Sequence, residues 1–322
     1  MIGAGAFGRN HARVYRQLEQ EAAGVELAAI IDIEPARAAA VSREFGNPPC
    51  LSLAELRGRV DAASVAVPTV EHLRVARALM EAGIDVLIEK PLAPSLAEAD
   101  EITRVAQRTG RVAQVGHLER FNPAVRATVP LLTKPMFFEV HRLSVFTPRS
   151  LDIDVILDLM IHDLDIVLSF VNSPVTEIRA VGLPILTPRV DIANVRMEFE
   201  SGCVANFTAS RVSTERVRKL RFFQLQQYIS IDYSRQDVMV FTVDPSAAAA
   251  KASPNPGIGI QKPPVVSEEP LHAELRSFLD AVRHRTRPQV PLEDGRRALA
   301  VALDVLKEIT EHSRKVGLEA VD

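Results

Sequence analysis

Gly3-Ala4-Gly5-Ala6-Phe7-Gly8 (GAGAFG) opens an amphipathic stretch running to about Glu21, and Gly24–Ile33 (GVELAAIIDI) follows as an apolar run with Asp32 near its end. Three glycines at this spacing have three tasks. The first permits a tight turn, the second lets backbone approach a pyrophosphate, and the third lets a helix pack closely on a strand. The start of that helix offers unpaired N–H groups and the positive end of its dipole to an anion. An acid at the end of the next strand accepts hydrogen bonds from both adenosine ribose hydroxyls and repels a 2′-phosphate, which selects NAD over NADP. Gly3, Gly5, Ala6, Phe7, Gly8 and Asp32 are therefore the candidate cofactor-binding residues. The alternative is a glycine-rich turn beside a surface acid, and the helix and strand that follow in order argue against it. The motif belongs after a strand, yet only Met1 and Ile2 precede Gly3. The expectation is that sequence in frame ahead of Met1 encodes a short β-branched run supplying that first strand.

Working outward, Pro35–Phe45 reads as a helix, Asp61–Pro68 (DAASVAVP) as a strand and Glu71–Gly83 as a helix. Ile84–Ile88 is a further strand, Leu96–Gly110 a helix with Ser95 as its N-cap, and Arg111–Gly116 a strand. Strands alternating with helices of this length specify βαβ units and a parallel sheet. After Gly116 the texture changes. Met136–Phe146 reads as a long strand and Asp154–Val171 as a helix. Glu177–Leu183, Ala193–Glu200, Cys203–Arg211, Lys219–Leu225 and Gln227–Tyr233 are all strand-like, with Glu200-Ser201-Gly202 as a hairpin turn. Pro245–Pro264, rich in Pro, Ala and Gly, reads as a surface loop or partly disordered linker, and Leu271–His284 and Glu293–Val316 as closing helices. The fold class is α/β. A dinucleotide-binding domain at 1–117, short of its first strand, precedes an α+β substrate domain at 118–322 with a large, mainly antiparallel open sheet. Within that second domain, 245–264 is the loop and 271–322 holds the terminal helices.

Composition removes several function classes. A chain of 322 residues with 47% hydrophobic and 25% charged residues is ordinary globular material with room for two domains. A net charge of −3 leaves no basic field for nucleic acid. No apolar run reaches the roughly 18 residues of a membrane span, and no signal-peptide pattern is present, so the expected compartment is the cytoplasm. Cys50 and Cys203 lie far apart without CxxC or Cys/His spacing, which argues against a disulfide scaffold or a metal site. No tryptophan and 5% aromatic residues argue against a carbohydrate-stacking module.

Four further stretches carry chemistry. Glu89-Lys90-Pro91 directly follows a strand, and ligands of open α/β sheets sit at the carboxyl ends of strands. An ammonium there can hydrogen-bond a substrate hydroxyl and favour its developing alkoxide; a solvated surface lysine is the alternative. Asp158-Leu-Met-Ile-His162 places a carboxylate and an imidazole four residues apart, on one face of a helix. A carboxylate beside an imidazole raises its basicity and orients it as a general base; the alternative is a helix-terminal acid and a partly buried histidine. Asp163 and Asp165 read as structural or solvated. In Gly116–Pro123 (GHLERFNP), Arg120 and Asn122 are candidate contacts to cofactor or substrate, and His117 is equally a hinge residue. Pro68, Thr69 and His72 follow a strand in the same topological position and can line the nicotinamide side, although Thr69 serves equally as a helix cap.

Together these residues resemble the Gfo/Idh/MocA oxidoreductase family. GAGAFG, the EKP at Glu89–Pro91 and the D-x-x-x-H at Asp158–His162 sit in that family's order over nearly the whole chain. The resemblance implies a Rossmann domain joined to an open antiparallel sheet, NAD as cofactor, and a homodimer or homotetramer. It implies Lys90, Asp158 and His162 as the catalytic group; Glu89 and Lys90 are also candidate cofactor-binding residues. Asp154–Leu157 (DVIL) departs from the glycines that many members carry before the aspartate. VGHLERFNPAV and LDLMIHDLDIV look most like a branch oxidising the sugar 3-hydroxyl of UDP-N-acetylglucosamine to a ketone, which a partner aminotransferase then converts to an amine. For a diphosphate, the candidate contacts are Arg120, Arg142, Arg149 and Arg211; as exposed arginines they are otherwise merely solvated. The rivals are an inositol or free-sugar dehydrogenase of the same family, a non-catalytic NAD-binding regulatory protein, and a structural partner without cofactor.

Overall fold

A computed structural model of the chain describes residues 1–21, 24–147, 153–244 and 257–317. It resolves into two compact units. One comprises Met1–Phe121 with Glu268–Leu299, and the other Asn122–Ser267 with Ala300–Asp322. The chain thus returns to the first unit after completing most of the second, rather than dividing once near residue 117.

In the first unit, β1 (Ala62–Val65), β2 (Asp85–Glu89) and β3 (Ala113–Gly116) form a parallel sheet in the order β1-β2-β3. Helices α1 (Ala6–Gln20), α2 (Pro35–Glu44), α3 (His72–Glu81) and α4 (Leu96–Thr109) are interleaved with these strands. Ser95 caps α4 by accepting a hydrogen bond from Glu98 N, as the sequence predicts, and Gly110 ends that helix in the left-handed region. Ile2 extends the sheet beyond β1, pairing in parallel with Val65 on one side and Ile31 on the other. The chain therefore moves outward in opposite directions from Ile2, and the glycine loop lies where the strand order reverses.

The strand expected over Gly24–Ile33 is cut down to Ile30 and Ile31, which bridge Cys50 and Ile2. Among the described residues, Gly24–Ala29 join no strand ladder. A cleft of about 650 Å³ opens there, between Gly24–Ala29 and Arg59–Ser64 and floored by Tyr15 and Leu279.

Helix α7 (Pro270–His284) belongs to this unit because its Leu275 and Phe278 enter the same apolar cluster as Val14, Tyr15 and Leu18 of α1. Close packing of that cluster holds the unit together.

The second unit is built on an eight-stranded sheet in the order β11-β10-β9-β8-β4-β7-β6-β5. Its strands are β4 (Phe137–Leu143), β5 (Val175–Leu183), β6 (Ile192–Phe199), β7 (Val204–Ser210), β8 (Val217–Gln224), β9 (Gln227–Asp232), β10 (Asp237–Asp244) and β11 (Gly257–Gln261). All pairings are antiparallel except β4 with β7. Burial alternates along β4 and β6, so one face carries Phe138, Val195, Met197, Phe207 and Phe222 into a core. Helix α6 (Ile161–Val171) covers that face, with Phe170 6.5 Å from Phe138 and 6.0 Å from Phe222, ring centre to ring centre. The other face carries a run of stacked rings, Phe137, Phe223, Tyr228 and Phe241.

One expectation changes in this unit. Gly257–Gln261, assigned to a loop, is an edge strand paired with β10, while residues 245–256 of that loop lie outside the described residues. The short helix α5 (Pro123–Thr128) precedes β4, and α8 (Leu292–Lys315) closes the chain. No helix among the described residues is long and apolar enough to cross a membrane.

Candidate active site

The three glycines behave differently from one another. Gly3 has φ +92°, and a Cβ there would lie 2.4 Å from the Ala66 carbonyl oxygen. A Cβ on Gly8 would lie 1.7 Å from the Gly3 carbonyl oxygen, which is why helix and turn can approach so closely only with glycine. Gly5, by contrast, faces open space within 4 Å and stands at the N-terminus of α1, where no side chain caps the helix. An uncapped helix start beside an open glycine fits a pyrophosphate. Phe7 is exposed at the same turn.

Asp32 closes this loop. Its Oδ2 accepts a 2.7 Å hydrogen bond from Ala4 N and its Oδ1 a 2.8 Å bond from Glu34 N. Each carboxylate oxygen keeps a further lone pair for a ribose hydroxyl. The residues present therefore suit a dinucleotide, with Gly5, Ala6 and Phe7 at the diphosphate and Asp32 at the ribose.

Lys90 leaves the carboxyl end of β2, on the same edge of the parallel sheet as the glycine loop. Glu89 before it is buried, its Oε1 2.8 Å from His11 Nε2 and its Oε2 accepting from Lys90 N at 3.3 Å. Burial works against this carboxylate, but the hydrogen bond and charge of His11, with Lys90 and His72, outweigh it and hold its pKa low. Gly116 lies alongside, where a Cβ would come within 3.1 Å of Glu89. His11 is absent from the sequence-derived candidates. Its signal was a polar residue sharing one helical face with Val14, Tyr15 and Leu18.

Several expected ligand contacts have structural duties instead. His72 is buried, with Nδ1 3.1 Å from Pro91 O and Nε2 3.1 Å from Val67 O. It brackets two loops of the first unit rather than presenting a ring nitrogen to the cofactor; burial lowers its pKa despite those carbonyls. Pro68 is exposed, and the half-buried Thr69 begins a one-turn 3₁₀ segment without capping it. Arg120 donates to Asp294 at 3.1 Å. Asn122 caps α5 through Ala124 N and donates to Tyr233 O at 3.1 Å, so both ends of its amide serve the second unit.

Asp158 and His162 lie on the segment leading into α6, but the expected single α-helix is interrupted. Ile156–Met160 is a π turn, and Asp158 within it is half-buried while His162 in α6 is buried. A π turn closes i→i+5 hydrogen bonds in place of the i→i+4 bonds of an α-helix. Such turns recur at functional sites. Asp163 is structural: it takes a two-pronged bond from Arg142, at 2.6 and 2.9 Å.

That bond also corrects the reading of Arg142 as a diphosphate contact. The guanidinium is 3% exposed and lies over the Tyr233 ring, 5.2 Å from its centre. Arg211 is likewise buried, donating to Ile153 O and lying 3.7 Å from Asp191. Arg149 lies outside the described residues.

With this geometry established, the likeness to known proteins is specific. Residues 1–117 match the family described as oxidoreductase family, NAD-binding Rossmann fold, and residues 137–228 match the GFO/IDH/MocA C-terminal domain. The chain is 36% identical over 306 residues to the UDP-N-acetylglucosamine 3-dehydrogenase of Acidithiobacillus ferrooxidans, covering 95% of each. A solved structure of that enzyme superposes with a TM-score of 0.87 at 34% identity, over 96% of each chain. The scyllo-inositol 2-dehydrogenase (NAD(+)) of Bacillus subtilis is 28% identical over 232 residues, 66% of this chain and 67% of that one.

Proposed function

The chain belongs to the Gfo/Idh/MocA family of NAD-binding oxidoreductases, and from that premise we propose that it oxidises the 3-hydroxyl of UDP-N-acetylglucosamine to the ketone. One observation carries the reading. Lys90, on a buried and hydrogen-bonded Glu89, sits at the carboxyl edge of the sheet that holds the glycine loop, in a chain alike over 95% of its length to an enzyme of that activity.

Gly5, Ala6, Phe7 and Asp32 would hold NAD, which would supply the hydride acceptor. Lys90 holds the substrate oxygen and stabilises its developing negative charge. His162 takes the hydroxyl proton, and Asp158 orients the imidazole and stabilises its charged form. General-base assistance is worth about 10²–10⁴ in rate. The reading extends to a cytoplasmic homodimer or homotetramer, supported by the ladder of rings left on the open face of the sheet. It also includes an aminotransferase that consumes the ketone.

Lys90→Ala and His162→Ala are each expected to lower kcat about 100-fold or more, with NAD affinity nearly intact by fluorescence titration. Because both act on one oxygen, the double variant should lose far less than the product of the two single losses. Wild-type turnover in either single variant removes the mechanism. The likeness to the inositol dehydrogenase favours a second reading, oxidation of an inositol. A panel of UDP-sugars and polyols, followed by NADH absorbance, separates the two.

A further inference from the structure

Glu274 lies on α7, on the side that meets α1. It is 0% exposed, and neither carboxyl oxygen has a hydrogen-bond partner among the described residues. An unpaired carboxylate in such surroundings is costly, so the group keeps a proton. Burial, reinforced by the negative charge of Glu89, pushes its pKa well above the ordinary carboxylate range.

The neighbours have matching needs. His11 and Tyr15 stand four residues apart on one face of α1. The Tyr15 hydroxyl bonds Ser64 Oγ at 2.6 Å and lies within electrostatic reach of Glu274. His11 spends Nε2 on Glu89, while its Nδ1 is buried with no partner among the described residues. Gln114 Oε1 is buried in the same condition, and Gln114 Nε2 reaches the backbone oxygen of Glu274 at 3.5 Å. An ionised carboxyl could donate nothing to this cluster, whereas a neutral one has an O–H to give.

We infer that Glu274 is a positioning residue: as a neutral acid it donates its O–H toward the buried acceptors Gln114 Oε1 and Glu89, and so keeps Glu89 seated against the backbone of Lys90. The inference rests on the reading of Lys90 as the substrate-binding lysine and adds a support behind it. The titratable and charged groups facing the site are His11 and Tyr15 on α1, Glu89 and Lys90 at the end of β2, and His72 on α3.

The sign of the pH effect follows from the raised pKa. Stability from a neutral Glu274 is complete below the ordinary carboxylate value of 4.5 and declines as pH rises toward the folded value. Glu274→Gln keeps a donor and cannot ionise. In the full-length, NAD-loaded protein its Tm should gain on wild type by about 2–4 °C between pH 5 and 9, with kcat held within about threefold. Glu274→Leu, which fills the space but offers no donor, should lose about tenfold or more in kcat with little change in KM for NAD.

A Tm gap between Glu274→Gln and wild type that stays constant with pH overturns the inference, as does wild-type kcat in Glu274→Leu. Should Glu274→Leu fail to fold, the Tm gap of Glu274→Gln decides. Because that gap is read without turnover, an active Lys90→Ala enzyme would sink the catalytic reading while leaving the buried acid standing.

Discussion

Asp32 illustrates how much a single side chain settles. It ties the glycine loop to the end of the Ile30–Ile31 bridge through Ala4 N and keeps lone pairs for a ribose. Hydrogen bonds to a charged group are worth about 1.5–3 kcal/mol each. Asp32→Ala should therefore weaken NAD at least tenfold and NADP much less, so the ratio of their dissociation constants narrows. Arg142 makes the opposite point. Its basic character suggested a diphosphate contact, but pairing with Asp163 beneath Tyr233 takes it out of solvent. Arg142→Ala removes this two-pronged pair from a buried carboxylate, and urea denaturation should show a loss of about 3–5 kcal/mol. Sequence reading gave Asp32 its place because strand, turn and helix occur in a set order. It misplaced Arg142, because no local pattern says which distant acid a long side chain will find.

At the scale of elements, Ile2 bonds the β1 side, donating to Ser64 O at 2.9 Å and accepting from Ala66 N at 2.8 Å, while its neighbours bond the other side, Gly3 N donating to Ile31 O and Met1 O accepting from Ile31 N. The edges of Gly24–Ala29 and Arg59–Ser64 continue past Met1 with a cleft between them. The Met1 amine donates to Ala29 O at 2.9 Å from a buried position, and burial lowers its pKa from 8.0 to about 5. The π turn at Ile156–Met160 also belongs to this scale. Apolar periodicity announced a helix from Asp154 to Val171, but an extra residue in one turn leaves no mark in that pattern.

For the whole molecule, the return of the chain matters most. Residues 268–299 complete the first unit, and Leu275 and Phe278 of α7 fill the cluster around α1. A fragment of residues 1–121 leaves that cluster open and should bind NAD at least tenfold more weakly than the full chain. Joining it by a short flexible linker to 268–299 should restore binding, as measured by fluorescence titration and by cooperative unfolding.

What was legible in the residues alone was whatever depends on neighbours within a few turns. The glycine motif, the alternation of strand and helix, the Ser95 cap and the change to an antiparallel sheet all belong to that class, since backbone sterics and apolar periodicity act locally. Tertiary structure alone decided that α7 packs on α1, that His11 and Glu274 lie behind Glu89, and that Arg142 and Arg211 are buried. Those outcomes depend on which distant surfaces exclude water together, and a buried acid or arginine has the same letter in the sequence as a solvated one.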